Sequence, residues 1–139
     1  MQFNQRTQNR NLSIPIESFF KDSGKKIINP NLVDKTALQI AKILANSGLN
    51  RNQLRKYYNE IKSLEKMFLL QGEDWEIIEP FVKMVKSKVY YGKGRKMKVD
   101  ALCEFMEKYI DKINDKDDFK AFCKLFEAVI GYFYGIAKR

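Results

Sequence analysis

From residue 34 onward, apolar positions return every three or four residues, the spacing of a single helical face. The first run covers about 34–46, with Ala37, Ile40, Ala41 and Leu44 on one side and Gly48 as its stop. The second covers about 51–70. Leu54, Tyr57, Ile61, Leu64 and Phe68 form its stripe, Asn50 with Gln53 suits a capping box, and Gly72 ends it. A third helix is predicted from Asp74, burying Ile78, Phe81, Val82, Val85 and Val89. Pro80, about two turns in, predicts a kink or a late start, because it lacks an N–H and its ring crowds the preceding turn. After a short loop at Gly92-Lys93-Gly94-Arg95, a fourth helix is expected over about 97–113, burying Leu102, Phe105, Met106, Tyr109 and Ile113. A fifth, over about 117–137, buries Phe119, Phe122, Phe126, Val129, Ile130 and Phe133. No strand period and no repeat interrupts them. The fold class is all-α, a compact bundle of about five helices.

The polar pattern before residue 34 differs. Residues 1–33 are rich in Asn, Gln and Arg and punctuated by Pro15 and Pro30, and read as a flexible tail ahead of one domain at 34–139. Ile14, Ile16, Phe19 and Phe20 break the polarity. They can pack on the body or dock a partner, and the usual behaviour of chain ends favours packing or disorder.

Composition narrows the function. A length of 139 residues with 45% hydrophobic content suits one modest core. The formal charge of +9 favours an anionic partner, nucleic acid or an acidic membrane surface. No apolar run reaches the roughly 20 residues of a spanning helix, and the polar start has no signal-like apolar region. A soluble cytoplasmic protein is expected. Cys103 and Cys123 sit in apolar helical patterns and read as reduced core thiols. The chain has no histidine, which removes His-based triads, His general bases and the usual zinc sets. No phosphate loop or dinucleotide fingerprint is present. No enzyme, metal or cofactor is expected.

The charge is segregated. Lys83, Lys86, Lys88, Lys93, Arg95, Lys96 and Lys98 fall in a stretch without an acid, around the paired Tyr90 and Tyr91. Flexible cations beside exposed rings suit a phosphate backbone with stackable bases. A second basic arc runs along the second helix, where Arg51, Arg55, Tyr58, Lys62 and Lys66 share a side. The candidate phosphate contacts are Arg51, Arg55, Lys62, Lys86, Lys88, Lys93, Arg95 and Lys96. Tyr58, Tyr90 and Tyr91 are candidates for stacking. Lys88 lies at the apolar margin of its helix, so it either pairs with an internal acid or marks a functional edge. Glu127 either anchors Arg95 or Arg55 across the bundle or pairs locally with Lys124 or Lys120.

Three segments, in order, resemble the small subunit of type III-A CRISPR–Cas interference complexes, the Csm small subunit. They are Asn50-Arg51-Asn52-Gln53-Leu54-Arg55-Lys56-Tyr57-Tyr58-Asn59-Glu60-Ile61, the stretch Met84–Arg95, and the closing Phe119-Lys120-Ala121-Phe122-Cys123-Lys124-Leu125-Phe126-Glu127-Ala128-Val129-Ile130-Gly131-Tyr132-Phe133. The resemblance covers about 34–137. It implies a non-catalytic helical subunit that stacks head to tail with copies of itself and joins other subunits of the type III-A effector complex. It implies contact with the backbone of guide RNA and target RNA, while base pairing selects the sequence and another subunit cleaves the target. The rival readings are the type III-B small subunit, a helical DNA-binding regulator using the turn at Ser47-Gly48-Leu49, and a protein-interaction bundle whose charge serves solubility.

Overall fold

The computed structural model describes residues 13–137. Five helices account for the body: α1 Lys35–Asn46, α2 Arg51–Leu70, α3 Trp75–Gly94, α4 Asp100–Ile110 and α5 Lys116–Ile136. The expected all-helical bundle is what the chain forms. Among the described residues the sole sheet-like pairing is one antiparallel bridge between Phe20 and Ile28.

Local chemistry sets the helix ends. The Asn50 side chain accepts from the Gln53 amide at 2.8 Å, and the Gln53 side chain accepts from the Asn50 amide at 3.2 Å. This reciprocal box starts α2. Asp74 and Asp115 accept from Glu76 and Asp118 amides and start α3 and α5. Gly72 ends α2 at φ 73°, while the Glu73 amide reaches back to the Phe68 carbonyl at 2.8 Å. α3 begins at Trp75 and continues through Pro80, so the late start does not occur.

α5 packs against α1 and α2, and α3 packs against α2 and α4. Phe119, Phe122, Phe126, Val129 and Phe133 line the buried side of α5, with Ile130 only partly covered. Phe105 of α4 meets Phe122 and Phe126, while Phe68 and Trp75 meet Phe119. Each such ring contributes on the order of 1.5–3 kcal/mol through burial. Phe81 departs from expectation: it is 47% exposed. α2 closes on the face of Ile78, Val82, Val85 and Val89, which leaves Phe81 on the outer side.

The segment expected to be a flexible tail is, from residue 14 on, a strap laid on the bundle. Ile14, Phe19 and Leu32 are buried. The Ile14 amide donates to Glu104 at 3.0 Å, and Lys108 donates to the Ile14 carbonyl at 2.9 Å. Tyr109 donates to the Pro15 carbonyl and accepts from the Glu17 amide. Burial pushes the Tyr109 phenol up to about 12. Beyond a turn organised by Asp22, Lys25 closes on Asp115 at 2.5 Å and Asp118 at 3.1 Å. Residues 1–12, the rest of the expected tail, lie outside the described residues.

The connections give the bundle two distinct ends. The α2–α3 and α4–α5 turns share one shallow hollow, lined by Glu73, Asp74, Glu76 and Asp115 among others. The α1–α2 and α3–α4 turns share the opposite end: a Cβ on Gly48 would sit 2.7 Å from the Lys98 side chain.

Candidate nucleic-acid interface

The two basic stretches meet at this second end. Gly92, Lys93 and Gly94, expected in a loop, form the last turn of α3. Gly92 is buried because a Cβ there would lie 3.0 Å from the Tyr57 hydroxyl and 3.4 Å from the Met97 sulfur. Its small size brings α3 against α2; it does not serve a flexible loop. The helix closes with the Met97 amide on the Gly92 carbonyl at 3.0 Å and the Lys96 amide on the Lys93 carbonyl at 2.9 Å. This Schellman closure puts Lys96 at φ 65°, in the left-handed region that normally takes glycine. It also delays α4, which starts at Asp100 and ends at Ile110.

Arg51 begins α2 and reaches the end of α5. Its guanidinium donates to the carbonyls of Tyr134 at 2.8 Å and Ala137 at 3.3 Å, where carbonyls at a helix C-terminus attract a cation. Its Nε is buried with no partner among the described residues. Arg51 and Arg55 lie 5.2 and 5.1 Å from the centre of the same Tyr134 ring. Arg51 is therefore partly a structural clamp, while Arg55 remains exposed.

The remaining candidates separate into two groups. Those along the middle of the bundle are engaged across or along helices. Lys88 pairs with Glu60, an acid on the neighbouring helix. Lys86 pairs with Asp111, and Lys62 with Glu65 at 2.9 Å. Tyr58 is half-buried, edge-on to Phe126 at 5.4 Å, and desolvation raises its pKa. Tyr90 donates to Glu107 at 2.9 Å, and that bond raises its pKa.

Those at the basic end are held by rings. Lys93 lies 5.5 Å from the Tyr90 ring and 3.7 Å from Asp100. Arg95 lies 5.8 Å from the Tyr91 ring, and Tyr91 itself is 67% exposed. Arg55, Arg95 and Lys96 make no ion pair among the described residues. Cation–π contact orients a guanidinium without neutralising it. The end therefore presents oriented positive charge beside one open ring.

Glu127 sits 3.8 Å from Lys124, the local alternative, so it anchors neither Arg95 nor Arg55. The carboxylates of α4 and its C-cap are engaged too: Glu104 with the strap and Lys108, Glu107 with Tyr90, Asp111 with Lys86. Cys103 and Cys123 are buried free thiols whose pKa values desolvation raises.

Two cations missed as site residues belong to this end: Lys56, over the Tyr57 ring at 5.4 Å, and Lys98, against Gly48. Both were visible as neighbours of chosen residues. Tyr134 had no signal, because its role depends on where α5 ends relative to α2. No helix among the described residues is long and apolar enough to cross a membrane.

Compared with known families, the model described as Csm2 Type III-A matches residues 28–138. No curated protein and no solved structure matches.

Proposed function

Because the chain belongs to the Csm2 type III-A family, the small subunits of CRISPR–Cas effector complexes, we propose that its basic end holds the backbone of guide and target RNA without reading sequence. The observation that supports this is the convergence of Arg55, Lys93, Arg95 and Lys96 on one end, oriented by Tyr134, Tyr90 and Tyr91. Flexible cations contact phosphates, and phosphate contacts position a protein without specifying bases. Tyr91 offers a ring face for stacking. Lys62, Lys86 and Lys88 already share their charge with acids of the same chain in surface pairs and contribute less. The opposite end, where Asp74 and Glu76 make no ion pair among the described residues, complements the basic end of another copy, so copies stack head to tail along the RNA. The protein works in the cytoplasm with the other subunits of its complex. It performs no catalysis and uses no cofactor.

Salt-dependent RNA binding tests this reading. Isolated chain should bind single-stranded RNA weakly and without sequence preference. Arg55→Ala and Arg95→Ala should each reduce the slope of log K against log salt by about 0.7. Tyr91→Ala should weaken binding with little change in slope. Unchanged affinity and slope in a folded Arg55/Lys93/Arg95 triple alanine variant would sink the proposal, and tight binding to one duplex DNA site would favour a regulator.

A further inference from the structure

The outer side of the α2–α3 hairpin carries an apolar floor. The Lys88–Glu60 pair fixes the register of the two helices. Seven residues is nearly two full helical turns, so that step returns to the same face about 10 Å along. Counted from the pair toward the α2–α3 turn, Met67 comes level with Phe81, and about one turn farther Leu70 comes level with Ile77. Met84 fills the step between Phe81 and Lys88. These five side chains are 37%, 47%, 78%, 44% and 53% exposed, in the order Met67, Phe81, Leu70, Ile77, Met84. On α3 the exposed series Ile77, Phe81, Met84, Lys88, Tyr91 alternates steps of four and three, the spacing of a coiled-coil seam. The buried series of α3 is a different one: Ile78, Val82, Val85 and Val89. α3 thus has two apolar faces and uses one within the chain.

We infer that this floor seats one amphipathic helix of another protein, lying between α2 and α3 and antiparallel to α3. A groove between two helices takes a third through apolar anchors at i, i+4 and i+7. Contiguous apolar surface of this kind marks an interaction site. Charge fixes the direction. One end of the floor is bounded by Asp74 and Glu76, the other by Arg95, none of them in an ion pair among the described residues. An occupant with an acidic first turn over Arg95 and a basic last turn over Asp74 and Glu76 at the α2–α3 turn satisfies both ends and its own dipole. A second copy is not the occupant. Head-to-tail stacking joins the ends and leaves the sides open, whereas a two-fold contact through the sides closes into a dimer. Only that exclusion rests on the stacking reading.

The test uses the full chain and a fluorescent, stapled designed helix of about 18 residues with a leucine stripe, two glutamates in its first turn and two lysines in its last. A second peptide exchanges those charges. Anisotropy should give a Kd of about 10 µM for the first peptide and about fivefold weaker binding for the second. Phe81→Asp should weaken the first about tenfold and leave RNA binding unchanged. If Phe81→Asp does not fold, Met84→Lys provides the same comparison at another exposed anchor. Equal affinity of a folded variant, or equal affinity of the two peptides, overturns the inference. So does a reversible dimer of the free chain that Phe81→Asp splits, which would give the floor to a second copy, or a loss of RNA binding, which would give it to RNA. The peptide assay contains no RNA, so its outcome is independent of the proposed RNA contact.

Discussion

Where α2 hands over to α3, the left-handed positions are Gly72 and Glu73, and charges around them close on one another: Lys120 on Glu73 at 2.7 Å, Lys25 on Asp115 and Asp118. Where α3 hands over to α4, the backbone position matching Gly72 is Lys96, and Arg51, Arg55 and Arg95 rest on rings or carbonyls, while Lys93 also meets Asp100 at 3.7 Å. Both turns use the same hydrogen-bond closure, so geometry does not explain the difference. The first end pairs Glu73, Asp115 and Asp118 internally and leaves Asp74 and Glu76 without an ion pair among the described residues. The second keeps an excess of positive charge; left-handed strain does not separate the two, because Lys96 at φ 65° is matched at the first end by Glu73 at 59° and Lys25 at 58°. Charge count alone does not separate the ends as well as the partner of each charge does.

The largest expected effect tests whether the basic end is also structural. Arg51→Ala removes two charge-assisted bonds to the end of α5 and its contact with Tyr134. Partial relief comes from the unpartnered Nε. A loss of about 2 kcal/mol is expected, measured by urea unfolding. Arg55→Ala, which lies over the same ring but remains exposed, should cost less than about 0.5 kcal/mol while reducing the RNA salt slope. If both variants lose stability equally, the split between clamp and contact fails.

At the other end, Lys25→Ala should cost about 1 kcal/mol, because it exposes Asp115 and leaves the buried Asp118 without its cation. The pH dependence has a worked sign. The bond to Asp115 raises the Lys25 pKa, so its contribution is complete below the ordinary lysine value of about 10.4 and fades as pH climbs through the raised one. Burial, the largest single influence, would raise Asp115, but the Lys25 bond and charge together with the Asp118 and Asp117 amides outweigh it and the net shift is downward; the Ile27 and Lys26 amides lower Asp22. Those contributions are complete above about pH 3.9 and fade as pH falls through the lowered values. The strap should therefore hold between these limits and loosen first at either extreme. NMR of the Ile14 and Glu17 amides across pH checks this, and amides that report unfolding only together with α5 would refute a separable strap.

The helices were legible because periodicity and caps are local. Asn50 with Gln53 predicted the start of α2 because the box needs only its own four residues. Phe81 was misplaced because its spacing fits the buried set of α3 nearly as well as the outer seam, and only the position of α2 decides between them. The strap carries no helical period, so the burial of Ile14 and Phe19 had no signal beyond their apolarity. The basic residues were legible as charge, yet which of them stay available was not. Lys88 finds Glu60 and Lys86 finds Asp111 across helices, and no sequence pattern gives that register.

The smallest effect bears most directly on the comparison. Lys96→Gly leaves the Schellman closure intact and removes the Cβ that makes φ 65° unfavourable. Glycine's larger unfolded-state entropy offsets part of that gain. A net stabilisation of about 0.5 kcal/mol is expected from thermal and urea unfolding. The same change removes a cation from the proposed RNA contact, so the salt slope should fall by about 0.7. Gly72→Lys is the mirror experiment. It puts a side chain at φ 73°, where no atom lies within 4 Å of the new Cβ, and should destabilise by about 1 kcal/mol with no effect on RNA binding. Opposite signs in stability, with an RNA effect only at residue 96, would mean that the chain gives up stability at one turn to keep a charge there. A stabilised Lys96→Gly variant with an unchanged salt slope would mean that the strained lysine serves neither end.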